Sequence, residues 1–189
     1  MSDQYRVKNS ESIHFVTFTI VDWVDVFTRS IYKQIIIDAL AYCQQSKGLQ
    51  IHGYCLMTNH LHLMASSIAP AKLPDIIRDF KKHTNKQLVK LINLENESRR
   101  DWMIYRFEFH AKYNNRIQDY KVWQDGYHGI ACDTIEILSQ KLDYIHNNPV
   151  KAGIVAKPEH YIYSSAINYC GEKGILNITV IDNYLSELK

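Results

Sequence analysis

No run of apolar residues in this 189-residue chain approaches the roughly 18 uninterrupted positions a membrane span requires, so no transmembrane segment is expected. No apolar stretch follows the polar start Met1–Tyr5, and no secretory leader is expected either. Cysteine is sparse and unpaired in spacing. Cys43, Cys55, Cys132 and Cys170 form neither a disulfide frame nor a zinc pattern, and they read as reduced thiols of a cytoplasmic protein. Net charge is nearly absent as well. Lys and Arg number 22 against 20 Asp and Glu, leaving +2, so bulk charge does not announce a nucleic-acid partner. Internal repeats and low-complexity segments are lacking too. What is present is a 46% hydrophobic composition, which argues against disorder and supports a real core. It fits a single domain, 1–189, with a helical or loop insertion at about 95–120. Tyrosine is in excess, 13 residues against 6 Phe and 3 Trp, and there are 9 histidines.

The β-branched and aromatic segment Ile13–Ile20 predicts a buried strand. From Ser30, Ile31, Ile35, Ala39, Leu40 and Cys43 recur at helical spacing until Ser46-Lys47-Gly48 stops the helix. Two short strands follow, around Gln50–Leu56 and His60–Met64, joined by the hairpin-length link Met57-Thr58-Asn59. A second helix begins after Pro70 and Pro74, with Leu73, Ile76, Ile77, Phe80, Thr84, Leu88 and Leu91 as its inner stripe.

Beyond Asn93 the chain turns polar. Ser98–Trp102 reads as a helix start with Trp102, Tyr105, Arg106 and Phe109 on one face, although the alternation of Met103, Tyr105, Phe107 and Phe109 also allows a strand. Tyr113-Asn114-Asn115 reads as a loop. A strand is expected near Lys121–Trp123 or Ile130–Cys132. A further helix starts at Asp133-Thr134, turns Ile135, Leu138, Leu142 and Ile145 inward, and is expected to end at Asn148, before Pro149. A short helix at Tyr161–Ser165 and a strand near Leu176–Ile181 complete the chain. The order matches the split βαβ arrangement: an α+β, ferredoxin-like antiparallel sheet with helices packed on one face. That architecture decides no function by itself.

Two short segments carry chemistry. In His60-Leu61-His62 the strand period puts both imidazoles on one face and the leucines on the other, the core side. With nine histidines the spacing alone is a weak signal, but two imidazoles on a sheet face free of helices can hold a metal. In the helix before Pro149, Gln140, Tyr144 and Asn148 are spaced four apart, on a face separate from Leu142 and Ile145. The plain alternative is a helix end whose amides satisfy loose carbonyls while Tyr144 covers the core edge. Taken together the segments suggest a covalent nucleophile, Tyr144, attacking a phosphodiester. A phenol ionises near pH 10 in water, so attack needs an activated electrophile. A divalent ion on His60 and His62, with Asn148 as an oxygen ligand, would supply it. Imidazole with oxygen ligands suits Mn²⁺ better than Mg²⁺ by ligand preference, and either is admitted. Arg78, Lys82, Lys86 and Lys90 stack on one helix face with Lys81 alongside, which is either a solvated surface or a phosphate-tracking ridge.

The sequence resembles the single-tyrosine HUH transposases, and within them the REP-associated tyrosine transposases. The matching segments are His14-Phe15-Val16-Thr17-Phe18, Tyr54–His62, Phe80–Thr84, Trp123–Tyr127 and, most characteristic, Tyr144-Ile145-His146-Asn147-Asn148-Pro149-Val150-Lys151-Ala152-Gly153-Ile154-Val155. The resemblance implies that His60 and His62 are the metal-binding pair, Tyr144 the nucleophile and Asn148 the polar ligand one turn later. It further implies a single-stranded DNA substrate with a hairpin or palindromic repeat nearby, cleaved to a 5′-phosphotyrosine and a free 3′-hydroxyl and then rejoined. The protein would act as a monomer or homodimer. Arg78, Lys81, Lys82, Lys86 and Lys90 become expected DNA contacts, and Trp123 and the tyrosines offer faces on which unpaired bases can stack, with Tyr105, Tyr113 and Tyr127 equally readable as core or loop residues. Two other classes compete: a non-catalytic DNA- or RNA-hairpin-binding protein, and a metal-dependent hydrolase in which water attacks and Tyr144 is structural.

Overall fold

The computed structural model of the chain describes residues 12–112 and 119–181. Strand β1 (His14–Thr19) lies in the centre of a four-stranded antiparallel sheet with β2 (Leu49–Leu56), β3 (His60–Ser67) and β4 (His128–Ala131), in the order β2-β3-β1-β4. Helix α1 (Ser30–Ser46) connects β1 to β2, and α2 (Leu73–Leu94) follows β3. This is the expected α+β arrangement. The alternation of β1 and β3 divides the molecule. Val16, Phe18, Leu61 and Leu63 point to the side where α1 and α2 pack together, and form one buried cluster with Ile36, Leu40, Ile77 and Phe80. Phe15 and Met64 point the other way, into a second cluster with Leu142 and Ile145 of helix α4 (Ile135–Lys151). α4 thus lies across the second face, near β2 and β3, so helices pack on both faces of the sheet and not on one as expected, and the histidine face is not free of helices.

A close approach makes this seating possible. A Cβ on Gly53 of β2 would meet Leu142 Cδ2 at 2.6 Å, so any larger residue would have to displace the side chain that α4 seats there. A register shift between Ile51 and Gly53 accompanies it. Next to that contact, His146 Nε2 hydrogen-bonds Ser165 Oγ at 2.9 Å, and the same hydroxyl accepts from Tyr54 N. α4 is therefore fixed by apolar packing at one turn and by a buried polar link at the next.

Several local expectations change. α4 does not end at Asn148 but passes through Pro149 to Lys151. The proline removes one helical donor. The helix stops at Gly153, whose φ of +70° closes a Schellman motif: Gly153 N donates to Val150 O and Ile154 N to Pro149 O. The segment after Ser98 is a helix, α3 (Arg100–Lys112), not a strand, and its buried residues are Met103, Phe107 and Ala111. Trp102, Tyr105 and Phe109 face outward because tertiary packing selected the other stripe. Trp123 only bridges to Ile20, and β4 forms at His128–Ala131 instead. Tyr161–Ser165 is a turn that precedes a single helical turn, α5 (Ala166–Tyr169). Leu176–Ile181 forms no strand; Thr179 N donates to Ile51 O at the β2 edge, without a ladder. Tyr113-Asn114-Asn115 lies outside the described residues. Among the described residues no helix is long and apolar enough to cross a membrane.

Candidate active site

The site forms where α4 crosses the sheet face opposite α1 and α2. β3 presents His60 and His62 there, their ring centroids 4.6 Å apart. β1 contributes the neighbours that the register dictates: Thr17 is the Cα partner of His62, and Phe15 stacks on its ring at 5.6 Å. α4 contributes Tyr144 and Asn148, one turn apart. The Tyr144 ring lies 5.0 Å from that of His62, edge to face, and 6.0 Å from Phe15. Tyr144 is 42% exposed. Gln140 shares the helix face but lies a turn further back and is exposed.

Hydrogen bonds assign a common orientation to the two imidazoles. His60 Nδ1 meets Asn59 Oδ1 at 2.7 Å, and His62 Nδ1 meets Thr17 Oγ1 at 2.9 Å. The Asn59 oxygen can only accept, so His60 donates from Nδ1 and keeps its lone pair on Nε2. His62 Nε2 lies 3.2 Å from Asn148 Nδ2, which donates to it, so its lone pair also resides on Nε2. Asn59 is itself held by Asp25, which accepts from Asn59 Nδ2 at 3.0 Å and from Thr58 Oγ1 at 2.7 Å. Burial lowers the pKa of both histidines, that of His62 to about 3 with the neighbouring His60 adding to the effect. For His60, a hydrogen bond that the protonated ring donates to Asn148 and the charge of Asp25 work in the opposite direction. Both rings are therefore neutral at physiological pH, the state a metal ligand needs.

The donor set fits a divalent cation at an open site. Two neutral imidazoles converge, and the Asn148 side chain interacts with both. Among the described residues no group of three or more His, Cys, Asp or Glu side chains gathers to complete a closed, all-protein metal cage. Oxygen ligands would have to come from Asn148, solvent and substrate. Two cations border the site: Lys151 Nζ lies 5.9 Å from the Tyr144 ring centroid, and Lys141 Nζ lies 5.3 Å from that of Phe15.

Four expected residues thus come together: His60, His62, Tyr144 and Asn148. The basic row does not join them. α2 packs on the opposite face, so the sheet separates Arg78, Lys82, Lys86 and Lys90 from the histidines. Lys82, Lys86 and Lys90 are exposed, whereas Arg78 is paired with Asp75 at 2.6 Å and Asp79 at 3.1 Å. Lys81 is drawn inward. Its Nζ donates to Gln124 O and Gly126 O, each at 2.7 Å, and burial lowers its pKa to about 8. Of the expected stacking residues, Trp123 is buried and its indole N–H donates to Thr84 Oγ1. Sequence reasoning missed Thr17, Asn59, Asp25, Phe15 and the two flanking lysines. Thr17 could have been found by aligning β1 against β3; nothing in the sequence marks Asp25.

Comparison with known proteins bears on the family and the fold. The family model described as "Transposase IS200 like" matches residues 8–104, just over half of the chain. Among solved structures, a REP-associated tyrosine transposase bound to a REP hairpin is similar at a TM-score of 0.64 and 15% identity, covering 95% of this chain and 96% of that one. A putative transposase from Deinococcus radiodurans R1 is similar at a TM-score of 0.42 and 15% identity, over 75% of this chain and 94% of its own. No curated protein matches the sequence.

Proposed function

The chain belongs to the IS200-like transposase family, and from that premise we propose that it cleaves and rejoins single-stranded, hairpin-associated DNA through a phosphotyrosine on Tyr144. The observation that carries this reading is the row of rings His60–His62–Tyr144, with steps of 4.6 and 5.0 Å and Asn148 against His62 Nε2. Nucleophile and electrophile-activating pair then share one pocket. In this reading both come from one chain.

Tyr144 Oη attacks the scissile phosphorus and the bond from phosphorus to the 3′ oxygen breaks. The 5′ phosphate remains on the tyrosine, and the phenolic proton is lost as the 3′ oxygen gains one. The reverse attack by a 3′-hydroxyl restores the phosphodiester, which is why no external energy source is required. His60 and His62 would hold a divalent ion, Mg²⁺ or Mn²⁺, that withdraws charge from the phosphate, with Asn148 as an oxygen donor. Thr17 and Asn59 fix the ring orientations, and Asp25 fixes Asn59. α4 orients the phenol, because Leu142 and Ile145 anchor the helix on the side away from Tyr144. Lys141 and Lys151 border the same pocket and attract the DNA backbone.

A REP hairpin is bound in the solved relative, and we extend that substrate class to this chain. In this reading Lys82, Lys86 and Lys90, with Arg78, hold flanking DNA behind the sheet, while Lys81 acts by fixing the turn at 124–126. The test is a hairpin-bearing single-stranded DNA incubated with Mn²⁺ or Mg²⁺, followed by denaturing electrophoresis. A denaturation-resistant adduct is expected, absent in Tyr144→Phe and in His60→Ala or His62→Ala. Cleavage that survives Tyr144→Phe would instead assign water as the nucleophile. Tight binding with neither adduct nor cleavage would assign a hairpin-binding protein.

A further inference from the structure

A second feature borders this pocket, at the end of the ring row remote from Tyr144. Trp23 is 60% exposed, and its ring centroid lies 6.1 Å from that of His60. The row therefore continues Trp23–His60–His62–Tyr144. Trp23 is held in place by its backbone rather than by burial. Asp22 and Trp23 both adopt left-handed conformations, with φ of +50° and +56°. Bulky L-residues rarely occupy that region, where a plain turn would carry Gly or Asn.

The strained turn is held from three sides. Trp23 N donates to Ile20 O at 3.1 Å. Asn59 Nδ2 donates to Trp23 O at 3.2 Å, so the amide that orients the His60 ring also fixes the tryptophan backbone. The Asp22 carboxylate accepts from Arg106 Nε of α3 at 2.6 Å, and His110 Nε2 of the same helix lies 2.8 Å from it. Strain persists only where surroundings over-determine it, and here they fix a large, exposed, rigid aromatic surface beside the metal-binding pair.

We propose that Trp23 is a substrate-positioning residue that stacks on an unpaired base of the single-stranded DNA near the scissile phosphate, with α3 as its buttress. The proposal rests on the reading of His60, His62 and Tyr144 as the cleavage site. The chemistry selects the ligand. The indole presents a flat π-surface that accepts any base, while the sugar–phosphate on the other side of that base meets the histidine pair and the flanking lysines. The part of the 95–120 segment that forms α3 thereby gains a role, since Arg106 and His110 belong to it.

The experiment compares Trp23→Gly and Trp23→Phe with the unaltered full-length chain. Binding is measured by fluorescence anisotropy in EDTA, so that it is independent of cleavage. The probes are a DNA hairpin with a single-stranded thymidine extension and the same hairpin whose extension lacks bases. The unaltered protein is expected to prefer the base-bearing probe by about 5- to 100-fold, as one stacked base would give. Trp23→Gly should lose most of that preference while its melting temperature stays level or rises, because glycine relieves the positive φ. Trp23→Phe should keep most of it. An undiminished preference in Trp23→Gly, or a loss accompanied by a fall in melting temperature that Trp23→Phe shares, would overturn the proposal. Absence of any covalent adduct in the unaltered protein would sink the strand-transfer reading alone, because the binding comparison would still answer for Trp23.

Discussion

The two faces of the sheet are built from alternate residues of the same strands, yet they answer to different demands. On the side of α1 and α2, Val16, Phe18, Leu61 and Leu63 are buried among aliphatic and aromatic neighbours, and nothing polar is asked of them. On the side of α4, Thr17, His60 and His62 take the intervening positions and are tied by hydrogen bonds. A period of two lets one strand supply cohesion and chemistry at once. The faces should therefore respond oppositely to mutation, one losing stability and the other losing activity.

The sharpest separation is expected between neighbours. Leu63→Ala, which empties a fully packed site, should cost about 2–5 kcal/mol of stability and leave adduct formation measurable below its lowered melting temperature. His62→Ala should reduce adduct formation by roughly a thousandfold or more with little change in melting temperature. Denaturation curves and adduct yields on the two variants would break the comparison if Leu63→Ala proved inactive while folded. A smaller effect is expected from Thr17→Val, which keeps shape but removes the Nδ1 partner of His62. Metal titration of adduct formation should show a loss of roughly 10- to 100-fold in apparent metal affinity, with DNA binding in EDTA unchanged.

Gly53→Ala tests how one face is docked on the other element. The added methyl would meet Leu142 at 2.6 Å, and overpacking of this kind costs about 1–3 kcal/mol. Both the melting temperature and the adduct rate should fall together, because the displaced helix carries Tyr144.

The smallest effect concerns acid. His52 lies on the α4 side, bonded to Ser66 Oγ and Thr179 O, and burial lowers its pKa below the usual value. Between its folded and unfolded pKa values the unfolded chain binds a proton that the folded chain refuses. Its contribution is therefore present above about pH 6.5 and is lost as pH falls below that. The drop in melting temperature from pH 7.5 to 5.5 should be shallower in His52→Gln than in the unaltered protein.

Much of this was readable along the chain because it depended on local periodicity. The His60 and His62 pair is separated from Leu61 and Leu63 by strand alternation alone, and Tyr144 is paired with Asn148 by a helical turn. The order of strands and helices led to the antiparallel sheet. Two readings fail, one for a local reason and one for a non-local one. Pro149 does not stop α4, which runs to Lys151 and is closed by its own next residues at Gly153, where positive φ is cheap. Lys81 was grouped with the exposed cations, but two backbone carbonyls in the 124–126 turn hold it.

What the sequence determined by itself is therefore the set of candidate site residues and the side of each element they occupy. Near-neighbour geometry is dictated by backbone period, and period survives in one dimension. What only the tertiary structure decided is that α4 crosses the histidine face, that Thr17, Asn59 and Asp25 orient the rings, and that the basic row of α2 lies behind the sheet. Those relations join residues up to 86 positions apart, as Asn148 and His62 show. They follow from how apolar faces choose partners, a choice that summed packing makes and no single segment encodes.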